Sequence, residues 1–339
     1  MEFIFPVILW KSFLPIPILT FGAVVVLLFD IFASDKSKKV TFWLSIIVLL
    51  VTLASCLLSS PEIAEISFGG MYLFDGFTRS LFLIILFSSF IVVLMSSIER
   101  KFEENSYGDF IGLILFATLG MMLMVSTRNL VMIFIALEIF SLSLYVLAGF
   151  FRSSSIGNEA SLKYFLLGSF ASGFLLFGIA LIYGSTGSTD LYEIISLYEL
   201  SSQKTVFFLG LSLIIVGFGF KIGAFPFYMW TPDVYQGSPT VATAFMSVGP
   251  KAAAFAALFR VFIAFSGFSA SKIETTIWII AVLTMTLGNL VAIWQTNIKR
   301  MLAYSSIAHA GYLLIALVTI KQAGTLSSGS FLFYVFVYT

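Results

Sequence analysis

The sequence predicts an all-α polytopic membrane protein, and three observations carry that reading. Of 339 residues, 60% are apolar and only 10% are charged, against about 25% charged in a soluble domain. The charges fall between apolar runs that tile the whole chain, each near the roughly 20 residues a helix needs to cross a bilayer. Mean hydropathy is +1.06 and net charge +1, which excludes a soluble globular, a disordered or a nucleic-acid-binding chain, since the last two need far more charge. One cysteine, Cys56, excludes a disulfide framework and any Cys-based zinc or iron-sulfur site, so a redox cofactor would have to sit in a partner. Cys56 itself reads as lipid-facing or core packing.

In chain order the spans are Ser12 to Phe29, Val40 to Ser60, Ser80 to Ile98, Phe110 to Thr127, Asn129 to Phe151 and Tyr164 to Thr186. Two longer ones, Thr205 to Tyr235 and Pro239 to Gly267, are interrupted by charge and by proline or glycine. Thr275 to Ile298 and Met301 to Ile320 follow, and an eleventh span starting at Phe331 stops at Thr339 without a cap or polar tail. A helix needs its full width to cross, so the chain as given is expected to be incomplete at its C-terminus. No cleavable signal peptide is evident, because Glu2 to Lys11 is already apolar and no small-residue cleavage site follows. With the N-terminus outside, basic residues of short loops divide eight inside (Lys36, Lys38, Lys39, Arg100, Lys101, Arg152, Lys299, Arg300) to six outside (Lys11, Arg79, Arg128, Lys204, Lys272, Lys321). Glu62, Glu65, Asp190, Glu193 and Glu199 then lie outside.

Four ionisable residues fall where the bilayer should forbid them: Glu138, Lys221, Lys251 and His309, at mid-membrane depth on four spans. Each must face the bundle interior, a partner or water. A structural ion pair of Glu138 with Lys221 would account for two of them and leave two unexplained. In Gly217-Phe-Gly-Phe-Lys-Ile-Gly-Ala-Phe-Pro226, Pro226 has no N–H for the carbonyl of Ile222 and crowds it, so the helix should break just after Lys221, around Gly223 and Pro226. Broken spans mark ion sites in transporters; equally, Gly219 and Gly223 could offer a GxxxG face to a neighbouring helix. The local GxG lacks the strand before it and the acid after it that a dinucleotide site needs.

Lys251 follows Gly249-Pro250, so a second helix is expected to be disturbed beside a second buried lysine. Ser238-Pro239 reads as the N-cap and first-turn proline of that span, and Arg260 as a structural anchor that snorkels. Glu159 and Lys163 form an i,i+4 couple that is either a surface pair or a proton-uptake pair. Trp230 and Tyr228 read as interface anchors.

Five segments carry a resemblance: Leu137 to Tyr145, Glu159 to Phe165, Gly219 to Phe227, Trp230-Thr-Pro-Asp-Val-Tyr-Gln-Gly-Ser-Pro239 and Gln295 to His309. Together they resemble the antiporter-like membrane-arm subunits of respiratory complex I, NADH:quinone oxidoreductase, and the Trp230 and Lys299-Arg-Met-Leu-Ala-Tyr-Ser-Ser-Ile-Ala-His309 runs are similar to its subunit N branch. The resemblance covers Phe110 to Ile320; the first hundred residues share only hydropathy with the family. It implies a bundle of about fourteen helices with two inverted five-helix repeats, each with a broken lysine-bearing helix. Residues 1–109 would be helices 1–3, residues 110–267 the first repeat (helices 4–8) and residues 268–339 the start of a second whose broken helix would lie beyond Thr339. It further implies redox-driven proton translocation, with Glu138 and Lys221 as acid and lysine, Lys251 as relay toward the second half and His309 beyond it. Lysine suits this role because burial and a nearby carboxylate act oppositely on its proton affinity. No cofactor or metal is expected in this chain. NADH, FMN, iron-sulfur clusters and quinone would belong to partner subunits, the partners being other membrane-arm subunits and the lipid of a bacterial or organellar inner membrane. The competing readings are a subunit of a multisubunit cation/proton antiporter, which the Trp-Thr-Pro-Asp-Val-Tyr-Gln-Gly run disfavours, and a non-pumping membrane scaffold.

Overall fold

The structure, a computed structural model, describes residues 8–32, 37–61, 63–99, 107–265, 270–323 and 325–339. Of the loop charges named above, Glu62, Lys36, Arg100 and Lys101 lie outside the described residues, as does the boundary residue Gly267. The chain runs α1 (Trp10–Phe13), α2 (Pro15–Phe32), α3 (Ser37–Leu58), β1 (Glu65–Ser67), a 3-10 turn (Phe68–Gly70), β2 (Tyr72–Phe74), α4 (Gly76–Ile98), α5 (Tyr107–Val125), α6 (Leu130–Ala148) and α7 (Ser155–Thr186). It continues through α8 (Leu191–Leu200), α9 (Lys204–Ile222), α10 (Trp230–Gly237), α11 (Thr240–Phe265), α12 (Ala270–Ile293), α13 (Ile298–Ala323) and α14 (Thr325–Tyr338). Among the described residues, ten helical stretches are long and apolar enough to cross a membrane, and α14 carries a shorter apolar stretch, Leu326–Tyr338. The protein is thus a multi-pass integral membrane protein.

Helix starts follow side-chain chemistry. Asp75 accepts from Thr78 N–H at the head of α4, Asn129 from Val131 and Met132 at α6, and Ser154 from Gly157 at α7, each satisfying N–H groups that have no partner within the helix. Helices α5 and α11 form the centre, burying Phe110, Met121, Phe245, Phe255 and Phe259. Helices α7 and α12 turn Phe170, Phe177 and Trp278 outward, and Trp294 just after α12 is exposed as well. Helices α7 and α9 approach closely at two glycines: a side-chain carbon at Gly178 would lie 2.6 Å from Gly210 O, and one at Gly210 would lie 2.8 Å from Gly178 O. Without a hydrophobic force between helices in lipid, such small-residue crossings supply the packing. The GxxxG pair Gly219 and Gly223 does not serve this purpose, because Gly219 is covered by Phe227 of the chain's own break and Gly223 faces Thr231.

Three features depart from the sequence reading. A two-stranded antiparallel hairpin pairs Glu65 with Phe74 and Ser67 with Tyr72, tied to the bundle by Tyr72 OH to Ser12 O (2.7 Å) and Leu73 N–H to Ser126 O (2.8 Å). Strands of three residues are too short to show a period of two. Helix α11 runs unbroken through Pro250. Proline strips the Met246 carbonyl of its helical donor, and the Tyr235 hydroxyl replaces that donor at 3.1 Å. At the head of α11, Ser238 does not act as an N-cap by its side chain; its hydroxyl donates to Val234 O at 2.6 Å, closing the preceding α10.

Arg260 is an anchor, but it is paired rather than snorkelling. Its guanidinium grips Asp75 through both terminal nitrogens (2.8 and 3.1 Å) and also donates to Thr78 Oγ1 (2.7 Å) and Val125 O (3.3 Å). One residue thereby binds α11 to the head of α4 and the end of α5. Burial opposes the charged Asp75 carboxylate, but the Arg260 guanidinium and the Thr78 donors outweigh it and hold its pKa below the usual value. A carboxylate with a depressed native pKa stabilises the fold above the unfolded value near 3.9, and that contribution is lost as pH falls through the native pKa. Asp75→Asn is therefore expected to cost about 3 kcal/mol, the scale for breaking a largely buried pair, and to flatten the acid limb of the stability profile below about pH 4. Thermal melts in detergent from pH 3 to 7 test both; an unchanged melt would remove the pair from the fold's support.

Candidate functional site

The site is built around a helix that stops inside the bundle. Helix α9 ends at Ile222, where Gly223 turns into the left-handed region at φ +71°. Gly223 N–H donates to Phe220 O (3.1 Å) and Ala224 N–H to Gly219 O (2.9 Å), the paired bonds of a Schellman ending. The break is therefore made by Gly223, and Pro226, which follows a cis peptide bond, lies in the loop beyond it. Helix α10 resumes at Trp230, whose indole N–H donates to Phe220 O at 2.9 Å, and Phe225 N–H donates to Thr284 Oγ1 of α12 at 3.0 Å. Trp230 is no interface anchor: it is buried, stacked on Tyr164 (4.6 Å) and Phe220 (5.3 Å).

Lys221, in the last turn of α9, is 6% exposed. Its ammonium donates to Ser141 Oγ (2.7 Å) and Tyr145 OH (3.2 Å) of α6. The rings of Phe140, Tyr145 and Tyr164 surround it at 5.2 to 5.9 Å, within cation–π range. Glu138 lies on the same face of α6, one turn before Ser141. No ion pair joins Glu138 to Lys221 among the described residues, and Glu138 Oε1 is buried without a hydrogen-bond partner. The Ser141 hydroxyl also donates to Leu137 O, a bond within α6.

Lys251 is 3% exposed on α11. It donates to Ser306 Oγ (2.5 Å) and Ser306 O (3.1 Å) of α13, with the Tyr235 ring at 5.9 Å. His309, one turn beyond Ser306, bonds Tyr334 OH through Nδ1 at 2.6 Å, and its ring lies 4.8 Å from that of Tyr338, tilted by 43°. Lysine and histidine thus address the same face of α13 without touching.

At one end of the bundle the charges are paired instead. Glu159 and Lys163 meet at 2.7 Å, Lys163 and Asp233 at 2.9 Å, and Asp233 and Arg300 at 2.5 Å, with Arg300 also on Gln236 Oε1 at 3.0 Å. This chain crosses from α7 through α10 to α13. Beside it opens a cleft of about 1170 Å³ lined by Asp109, Arg152, Gln236, Ser238 and Lys299 among others. Lys299 bonds Ser238 O at 2.8 Å.

Residues 127–339 match the family described as NADH:quinone oxidoreductase/Mrp antiporter, TM. The chain belongs to this family. It is 45% identical over 328 residues to the NADH-quinone oxidoreductase subunit N of Trichlorobacter lovleyi, covering 96% of this chain and 66% of the relative. A chain of respiratory complex I from Thermus thermophilus, solved with bound aureothin, superposes with a TM-score of 0.78 at 38% identity, covering 95% of this chain and 67% of that one. A chain of the Mrp complex from Dietzia shares the fold (TM-score 0.80, 97% of this chain, 62% of that chain) at 21% identity. The chain spans about two thirds of the length of the curated relatives it matches. The family match begins at residue 127, whereas the alignment with the Trichlorobacter lovleyi relative spans nearly the whole chain.

Sequence reasoning singled out four ionisable residues, of which the structure buries Lys221 and Lys251 and half-buries Glu138 and His309, and it missed their partners. Ser141 and Tyr145 stand three and seven residues after Glu138, and Ser306 three before His309, so helical periodicity from an ionisable residue would have pointed to them. Trp230, Thr231 and Tyr235 could not be found that way, because α10 is positioned by the break. In this antiporter-family fold Tyr235 compensates Pro250, and Tyr235→Phe is expected to cost about 1–3 kcal/mol by stranding the Met246 carbonyl. Pro250→Ala restores a backbone N–H, so the double variant should recover most of that loss. A double-mutant cycle by thermal melting checks it; strict additivity would mean that the carbonyl does not depend on Tyr235.

Proposed function

We propose that the chain is the proton-translocating membrane part of an NADH:quinone oxidoreductase subunit, moving protons through Glu138, Lys221, Lys251 and His309. One observation carries this: both buried lysines are held by neutral hydroxyl and carbonyl groups rather than by a carboxylate. A lysine locked in an ion pair keeps its proton, whereas one on hydroxyls can give it up when the charges around it change. The unpartnered carboxylate oxygen of Glu138 is the charge whose approach or withdrawal would bias Lys221. Glu159 and Lys163, with Asp233 and Arg300, lie beside the large cleft and would take up protons there.

In this reading residues 110–267 are the first antiporter repeat and residues 268–339 begin a second. The chain carries out no redox chemistry of its own. Partner membrane-arm subunits adjoin it in the bacterial inner membrane, and NADH, FMN, iron-sulfur clusters and quinone are bound by other subunits. Purification with flavin and iron-sulfur subunits supports this assembly; purification with small cofactor-free membrane subunits would support a cation/proton antiporter instead.

Lys251→Met keeps most of the side chain's volume and stem but removes the proton carrier. Assembly should survive while proton pumping per NADH oxidised in native vesicles falls at least about tenfold, since general acid–base groups contribute factors of 10² or more. Lys251→Arg should also impair pumping, because arginine keeps its proton. Full pumping by the methionine variant would remove Lys251 from the path; a tolerated arginine with a disrupted methionine variant would make Lys251 a structural anchor.

A further inference from the structure

Thr231, in the first turn of α10, is fully buried, and its hydroxyl has no hydrogen-bond partner. An unsatisfied hydroxyl within a bundle is costly, and valine would fill the same volume without it. The hydroxyl faces Gly223 at the helix break. A side-chain carbon at Gly223 would lie 3.0 Å from Thr231 Oγ1 and 3.9 Å from the Lys251 ammonium, so both groups flank the space that Gly223 leaves free. Lys251 has three N–H donors, and its two hydrogen bonds both go to Ser306. A buried ammonium with a spare donor and a buried hydroxyl with a spare acceptor therefore lie on either side of one glycine. The two possible partners also lie on opposite sides of the ammonium's role: Ser306 belongs to the helix of His309, and Thr231 to the break that follows Lys221.

Resting on the proton-relay reading, we infer that Thr231 is a second seat for the Lys251 ammonium, which alternates between Ser306 on the His309 side and Thr231 on the Lys221 side. Gly223 lacks a side chain so that the ammonium can make that move. Ordinary packing predicts no such pairing of spare donor and spare acceptor. The experiment uses the assembled complex in native membrane vesicles, comparing Thr231→Val, Thr231→Ser and Lys251→Met for assembly, melting temperature, NADH oxidation and protons pumped per NADH.

Thr231→Val should assemble and melt no lower than the parent, because it deletes an unsatisfied group. Its protons pumped per NADH should nevertheless fall about tenfold, the factor for losing one hydrogen bond to a charged group. Thr231→Ser keeps the hydroxyl and should pump within about twofold of the parent. Normal pumping by Thr231→Val overturns the second seat, and so does its failure to assemble, which would give the hydroxyl to the fold. A serine variant as impaired as valine overturns it too, since only the methyl group would then matter. If Lys251→Met pumps normally, the relay reading itself has failed; if Lys251→Met is inert while Thr231→Val pumps normally, only the second seat has failed.

Discussion

Every backbone N–H and C=O in the hydrocarbon layer must find a partner inside the protein, and the architecture around Lys221 and Lys251 follows from that constraint. Helix α9 stops at Ile222, within the bundle, and α11 contains a proline at position 250. Each interruption frees carbonyls. The Schellman bonds of Gly223 and Ala224, the Trp230 indole and the Tyr235 hydroxyl answer the freed carbonyls, while Thr284 accepts the freed Phe225 N–H. Two of these donors sit on α10, eight residues long. The short helix is kept within the bundle because it completes the hydrogen bonding of the two helices that carry the buried lysines.

The charges divide into two populations with different chemistry. Arg128 with Asp190, Arg260 with Asp75, and the Glu159–Lys163–Asp233–Arg300 chain are ion-paired. Lys221 and Lys251 are deeper and rest on serine, tyrosine and backbone oxygen. A buried pair gains from good geometry and becomes fixed by it, which suits a clamp. Neutral partners satisfy the donors without locking the proton in place, and the three aromatic rings around Lys221 stabilise its charge without adding a countercharge. The distribution therefore places rigid electrostatics at the ends and adjustable electrostatics in the middle.

Helix existence was legible because hydropathy in a membrane is a strong, local signal: each span read from charge spacing has a helix over most of its length. The break was legible from Gly223 and Pro226, although glycine rather than proline makes it, since a left-handed ending comes before the proline can act. The Pro250 reading failed for a non-local reason. Proline removes a donor wherever it stands, but whether the helix bends depends on what reaches the freed carbonyl, and Tyr235 lies fifteen positions earlier. Trp230 failed similarly: composition favours an interface belt for tryptophan, while the break turns it inward onto Tyr164. The hairpin left no periodic signal at all, and its Phe68-Gly-Gly turn depends on three successive positive φ angles.

Coupling between the lysines follows from the same constraint. Trp230 holds the Phe220 carbonyl, one residue from Lys221, and Tyr235 holds the Met246 carbonyl while presenting its ring to Lys251. Between them on α10, Asp233 is gripped by Lys163 of α7 and Arg300 of α13. A shift of α10 cannot occur without disturbing hydrogen bonds beside both lysines, and a change in the Asp233 pairs cannot occur without acting on α10. Because an unsatisfied carbonyl in this environment costs on the order of 1–3 kcal/mol, such a shift favours discrete alternative arrangements over continuous drift. The ion-paired end, the helix break and the two buried ammonium groups therefore form one mechanical unit.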